Sequence, residues 1–230
     1  MKDEQIRKKE IYRQLQNKGF AIPQIQCGEY LISDEENHKH FCDSLLVCEN
    51  CSLGCNYDGD KVLGLGPITS PVIIVGDYPK DDDQHTGVPL SGSAGYYLTL
   101  ALQILGIDRR CIYITNAIKC KSLITPNPDE LATCLPYLQY EINRVRPKYI
   151  ITLGGTALKS VLNNFEVKVS EFRGTIVSIG QTLVYPTWHP EYLMQLSGLN
   201  YKKASDEFIF DLSNAFKDIK ADFPDYRWRL

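Results

Sequence analysis

Four cysteines carry the first chemical signal. Cys48 and Cys51 form a Cys-x-x-Cys pair, and Cys120 and Cys134 follow much later with thirteen residues between them. A Cys-x-x-Cys turn aims two thiolates at one centre, and a second pair completes a four-thiolate site. The second pair is not another such turn, which argues against a compact zinc ribbon and for ligands drawn from two distant segments. An iron–sulfur cluster is favoured over zinc. Spacing alone leaves both open, beside a redox dithiol or plain buried thiols.

Three further residues stand at positions suited to catalysis. Asp77 follows the apolar run Val72-Ile-Ile-Val75 and Gly76, where a carboxylate can bind a water or face a developing cation; its bland alternative is a solvated loop acid like those of the Asp81-Asp82-Asp83 run. Asn116 ends the run Cys111-Ile-Tyr-Ile-Thr115 and offers an amide for reading the edge of a base, or else a turn residue. His189 precedes Pro190, which restricts its backbone; it can stabilise an anion or serve as a satisfied structural histidine. The glycine-rich stretch 86–95 leads into a helix and could hold a phosphate or a base carbonyl on its N–H groups, although it matches neither a Walker loop nor a dinucleotide fingerprint.

The elements that must position these residues alternate. Strands are expected at 72–75, 111–115, 149–153, 175–179 and 182–187, and helices over 94–105, from Asn127 to about Val145, after Gly154-Gly155 to Leu162, and over 203–219. Asn127-Pro128-Asp129-Glu130 is a helix start: a cap, proline in the first turn, then two acids at the positive end of the dipole. Residues 1–20 read as a charged helix, and the stretch to about 60 as an irregular, Cys-rich arm packed on an α/β domain over 61–230. Strands alternating with long helices indicate a parallel sheet covered on both faces. Such sheets bind ligands at the carboxyl ends of their strands, where Gly76-Asp77, Asn116, Gly154-Gly155 and His189 all fall.

Composition narrows the class. The chain has 230 residues, eight cysteines and a formal charge of −3, so a single core is expected and any nucleic-acid contact must come from a local patch. No apolar stretch follows the opening MKDEQIRKKE and no run is long enough to span a bilayer; the expectation is a cytoplasmic monomer, prokaryotic or phage-related, with reduced thiols and no membrane partner.

The motifs, taken together, resemble the iron–sulfur uracil-DNA glycosylases usually called family 4. Cys48-Glu-Asn-Cys51-Ser-Leu53 is similar to that family's Cys-x-x-Cys-x-Leu arm, and Gly76-Asp77-Tyr78-Pro79-Lys80 to its Gly-Glu-x-Pro-Gly loop. Gly87-Val-Pro-Leu90-Ser-Gly92-Ser-Ala-Gly95 follows, then Thr115-Asn116-Ala-Ile-Lys119-Cys120, Cys134-Leu-Pro-Tyr-Leu138, Leu153-Gly-Gly-Thr-Ala157, Arg173-Gly174 and Thr187-Trp-His189-Pro190. The resemblance runs in order from about 45 to 195. Four departures stand out: Asp77 replaces the family's glutamate, Tyr78 and Lys80 replace small residues, Leu90 replaces the phenylalanine that stacks on uracil, and Gln195 lies near the place of an arginine. A lost aromatic platform removes stacking worth ~1–3 kcal/mol per base.

The resemblance implies a three-layer α/β/α sandwich with a short central parallel sheet, and a [4Fe-4S] cluster on Cys48, Cys51, Cys120 and Cys134. It implies DNA as the partner and hydrolysis of the N-glycosidic bond of uracil, leaving an abasic site. The target base is flipped into a pocket. Asn116 reads the pyrimidine, His189 stabilises the departing base anion, and Asp77 positions water; Gly76, Tyr78, Leu90, Ser91 and Gly92 form the substrate wall. Met194 to Lys203 supplies a wedge, with Lys202 and Lys203 on phosphates. The rival readings are a same-fold glycosylase retuned to another or bulky modified pyrimidine, a non-catalytic DNA-binding relative, and a zinc-stabilised α/β protein unrelated to DNA.

Overall fold

The computed structural model of the chain describes residues 35–56 and 61–229. Five strands, β1 (Val72–Gly76), β2 (Tyr113–Asn116), β3 (Tyr149–Leu153), β4 (Val177–Ile179) and β5 (Thr182–Thr187), form one sheet in the order β2-β1-β3-β5-β4. β1, β2, β3 and β5 are parallel. The edge strand β4 pairs antiparallel with β5, a departure from the all-parallel expectation, because only the two residues Gly180 and Gln181 join them and so short a link can close only a hairpin.

The helices are α1 (Glu35–Leu46), α2 (Ser52–Asn56), α3 (Asp81–Thr86), α4 (Ser93–Ile104), α5 (Pro128–Val145), α6 (Gly155–Leu162), α7 (Val169–Phe172), α8 (Pro190–Gln195) and α9 (Gly198–Asp222). Alternate strand residues supply two cores, as the pleat requires. Val72, Ile74, Ile114 and Ile151 pack against Leu98 and Leu102 of α4 and Phe208, Leu212 and Phe216 of α9. Ile73, Val75 and Ile150 face the other way, onto Leu138 and Val145 of α5 and Ala157 of α6. The architecture is the expected three-layer sandwich with a mostly parallel sheet.

Helix α5 begins as its residues dictate: Asn127 accepts from the Glu130 N–H at 3.0 Å, while Glu130 accepts from the Asn127 N–H at 2.8 Å, closing a capping box. The stretch 35–56, read as an irregular arm, contains two helices. Phe41 of α1 stacks on Tyr140 of α5 with ring centroids 3.8 Å apart, so this segment packs on the main body. The charged helix expected over 1–20 lies outside the described residues. The last helix starts at Gly198, not at 203, and the acid run 81–83 is helix α3, with Asp83 buried. Among the described residues no helix is long and apolar enough to cross a membrane.

Candidate active site

The carboxyl ends of β1, β2, β3 and β5 converge on one rim. Asp77 leaves β1 there and reaches across to the N-terminus of α6. Its Oδ1 accepts the Ala157 N–H at 2.8 Å, and a Cβ on Gly154 would lie 2.6 Å from its Oδ2. Gly154, at φ +93°, caps α6 without a side chain, so Asp77 supplies from another strand the carboxylate that a helix N-terminus favours. Burial raises the Asp77 pKa above the usual carboxylate range; His189 and the Ala157 N–H act the other way.

Asn116 sits beside it at the end of β2, in register with Gly76. The Asn116 side chain is fully buried, and neither its Oδ1 nor its Nδ2 has a hydrogen-bond partner. Any side chain on Gly76 would collide with this amide, so Gly76 is what makes room for it. Leu90 closes the same space from above: both of its methyls lie 3.4 Å from where a Gly76 Cβ would stand.

His189 ends the segment after β5 and caps α8. Its Nδ1 accepts from the Glu191 N–H at 3.2 Å, which leaves Nε2 as the donor nitrogen of the ring. The strand end before it is clamped. Thr187 Oγ1 donates to Asp211 at 2.7 Å, Trp188 Nε1 to Glu207 at 2.8 Å, and Arg173 pairs with both acids.

The loop between α3 and α4 departs from the anion-binding expectation. Asp83 Oδ1 accepts the Ser91 N–H at 2.7 Å and the Ser91 hydroxyl at 3.0 Å, so the N–H that a phosphate would use is taken by an internal acid. Gly92 caps α4, with the Asp82 carboxylate 2.5 Å from its Cβ position. These contacts hold Leu90, whose φ of +52° is unusual for a branched residue. Arg109, partly buried and with its pKa lowered to about 10 by burial, donates to the Leu90 carbonyl at 3.0 Å and the Pro89 carbonyl at 3.2 Å. Asp83 and Arg109 are positioning residues that sequence reading missed; an acid inside an Asp run looks solvated until the fold buries it. Of Tyr78, only the backbone is expected in the pocket wall. Its ring leaves the pocket and packs on the Cys120 and Cys134 layer, with Lys80 Nζ 4.2 Å from its centroid.

Three of the four candidate thiols share that layer, and Cys48 packs beside Phe41, Cys42 and Leu45. Cys51 packs against Cys120 and Cys134, and Cys48 is close enough to bond the Tyr137 hydroxyl. Cys120 is pushed up to about 11 and Cys134 to about 12, first by burial and also by the neighbouring thiols. Lys61 stands by Cys120, and Lys119 by Cys134, each favouring the thiolate. Cys134 lies on helix α5, inside the helix expected from Asn127 to about Val145. Among the described residues no three such side chains close on a single metal ion. Cys55 is exposed and bonds the Glu49 carbonyl at 3.2 Å, apart from this layer; Cys27 lies outside the described residues.

Met194 on α8 and Lys202 and Lys203 in the first turns of α9 are all exposed, beside Leu199 at 85% exposure.

With this geometry in view, comparison with known proteins is informative. The family model described as "Uracil DNA glycosylase superfamily" matches residues 63–213. The Type-4 uracil-DNA glycosylase of Thermotoga maritima is 35% identical over 164 residues, covering 70% of this chain and 85% of that protein. Its namesake from Pyrobaculum aerophilum is 32% identical over 173 residues, 71% and 87% of the two chains. That of Saccharolobus solfataricus is 31% identical over 165 residues, 67% and 76%. The matched span begins ahead of β1 and ends within α9, so it contains every strand and each of Asp77, Asn116 and His189: the chain belongs to the uracil DNA glycosylase superfamily.

Proposed function

We propose that this protein is a monofunctional DNA glycosylase that hydrolyses the N-glycosidic bond of uracil in DNA and leaves an abasic site. The observation that carries this reading is the Asn116 amide, buried with both polar atoms unpartnered. A buried amide without partners costs about 1–3 kcal/mol, so its persistence between Asp77 and Leu90 fits a group reserved for a ligand with complementary donors and acceptors. A flipped uracil offers both on one edge. The His189 Nε2–H meets the base oxygen that gains charge as the bond breaks, which favours the transition state over the ground state. Asp77, ionised, orients water and faces the cationic sugar. Gly76 leaves space for the amide, and Leu90 with the backbone of Tyr78 forms the wall. Ser91 and Gly92 act indirectly, by shaping the loop that carries Leu90.

Cys48, Cys51, Cys120 and Cys134 hold a [4Fe-4S] cluster in this reading, which supplies structural linkage and no chemistry at the base. Among the described residues no three such side chains close on a single metal ion, which disfavours a tetrahedral zinc site, whereas a cluster takes one thiolate at each corner of a larger body. The two buried lysines fit a centre that carries thiolate charge. Met194 enters the duplex, and Lys202 and Lys203 meet phosphates.

The test is an oligonucleotide with a single uracil, incubated with protein and then treated with alkali. Free uracil and an alkali-labile site, with no strand cut before alkali, are expected; intact DNA after long incubation would refute the reading. The protein should be brown, absorbing near ~400 nm. Cys134→Ala should abolish that colour and Cys55→Ala should leave it. Colourless protein with stoichiometric zinc would refute the cluster.

A further inference from the structure

The loop that joins β2 to α5 carries two adjacent aliphatic residues at its tip, Leu123 at 68% exposure and Ile124 at 76%. Such exposure is ordinary for one residue of a floppy loop. This loop is pinned on both sides of the tip. Ser122, almost fully buried, donates its hydroxyl to the Ile124 carbonyl at 2.6 Å and its N–H to the Pro79 carbonyl at 3.4 Å. Lys121 pairs with Asp81, Pro126 is buried, and Asn127 caps α5. The turn therefore directs both side chains into water, an unfavourable arrangement that a partner would relieve.

Its position in the sheet order says where the partner lies. Asn116 ends β2 ahead of this loop, and Pro79 follows Asp77 just after the neighbouring β1, so the tip stands on the rim of the base site. The exposed Met194 and Leu199 stand on the far side, beyond β5. The base site opens between two apolar projections. Near the tip Asp81 and Asp82 are acidic and Lys121 is already paired, so this side of the rim does not suit phosphates. It suits the uncharged faces of bases and sugars.

We propose that Leu123 and Ile124 form a second DNA-contacting element, packing on the bases and sugars that flank the flipped nucleotide on the β2 side. The proposal rests on the glycosylase reading above, and its test separates the two. Leu123→Ser/Ile124→Ser is compared with the parent protein on three uracil substrates: a long single strand, the corresponding duplex, and a trinucleotide with central deoxyuridine too short to reach the tip. On the long substrates KM should rise about ten-fold, with kcat within about two-fold, as expected for losing modest apolar burial. The trinucleotide should be processed alike by both proteins, and Leu123→Phe should lower KM on the long strands. Equal KM values on the long substrates would overturn the proposal. So would a KM rise that extends equally to the trinucleotide, or a change in oligomeric state with KM unchanged, which would make the tip a self-association surface. Anisotropy titration of the same oligonucleotides reads the tip without turnover: if the parent excises nothing, the glycosylase reading fails, and the ratio of Kd values still decides the role of the tip.

Discussion

Two buried polar groups three residues apart follow opposite rules. The Asn116 amide has no partner for either polar atom. Lys119, also fully buried, has every contact a buried ammonium needs: Thr115 Oγ1 at 2.6 Å, the Asn116 carbonyl at 2.8 Å and Glu141 Oε2 at 2.5 Å. Glu141 in turn accepts from the Thr115 hydroxyl at 2.6 Å and the Gly64 N–H at 2.8 Å. The satisfied network holds the Asn116 main chain in place, while the amide above it has no such partner and, in the proposed reading, serves the ligand. Polarity in a core therefore marks a site only where its partners are missing.

The sharpest way to break this contrast is to remove the ammonium. Lys119→Met should destabilise by about 3–5 kcal/mol in urea unfolding, because Glu141 stays buried without its cation. Adding Glu141→Leu should restore part of that loss. A single variant as stable as the parent would show that the network is not structural.

The next largest effect is on activity. His189→Ala should lower turnover by roughly 10²–10³, the scale of losing one transition-state donor, with cluster absorption unchanged. Asn116→Ala should lose activity on a similar scale yet change stability by no more than ~1 kcal/mol, since it removes an unpaired amide and not a satisfied one. A large stability loss in Asn116→Ala would erase the distinction drawn above.

Asp77 tests the same idea by pH. Burial raises its native pKa above the unfolded value, so the native state holds that proton more tightly and ionisation weakens the fold. The Asp77 contribution to stability is present at acid pH and lost as pH rises through the native pKa. Asp77→Asn should raise the melting temperature at neutral pH, with the gain vanishing below the carboxylate range, while excision falls. In the parent, the acid limb of kcat/KM should lie above the pH of an ordinary aspartate. A limb at the ordinary value would remove Asp77 from the catalytic role.

The smallest effect concerns the wall. Leu90→Phe should tighten an unmodified uracil by ~1 kcal/mol through stacking, and should obstruct a pyrimidine with a large 5-substituent by about 1–3 kcal/mol through overpacking. Improvement on uracil with loss on the bulky base would favour a pocket retuned to larger bases. Unchanged values on both would place Leu90 outside the base contact.

The sequence alone determined the strand and helix order, because apolar runs and the Asn127–Glu130 cap are local signals, and it placed Asp77, Asn116 and His189 at strand ends. It also determined which four cysteines to consider, since ligand spacing is written in the chain. What it could not carry are properties that depend on distant partners. Asp83 reads as solvated until the fold brings the Ser91 N–H to it, and Leu90 gives no sign of its left-handed backbone until Arg109 draws in its carbonyl. The turn of the Tyr78 ring toward the cysteines and the missing partners of Asn116 are equally tertiary, whereas the antiparallel edge at β4 follows from a two-residue link written in the chain. Periodicity and caps act within a few residues, whereas burial, pKa and hydrogen-bond satisfaction are set by what the rest of the chain packs against each group.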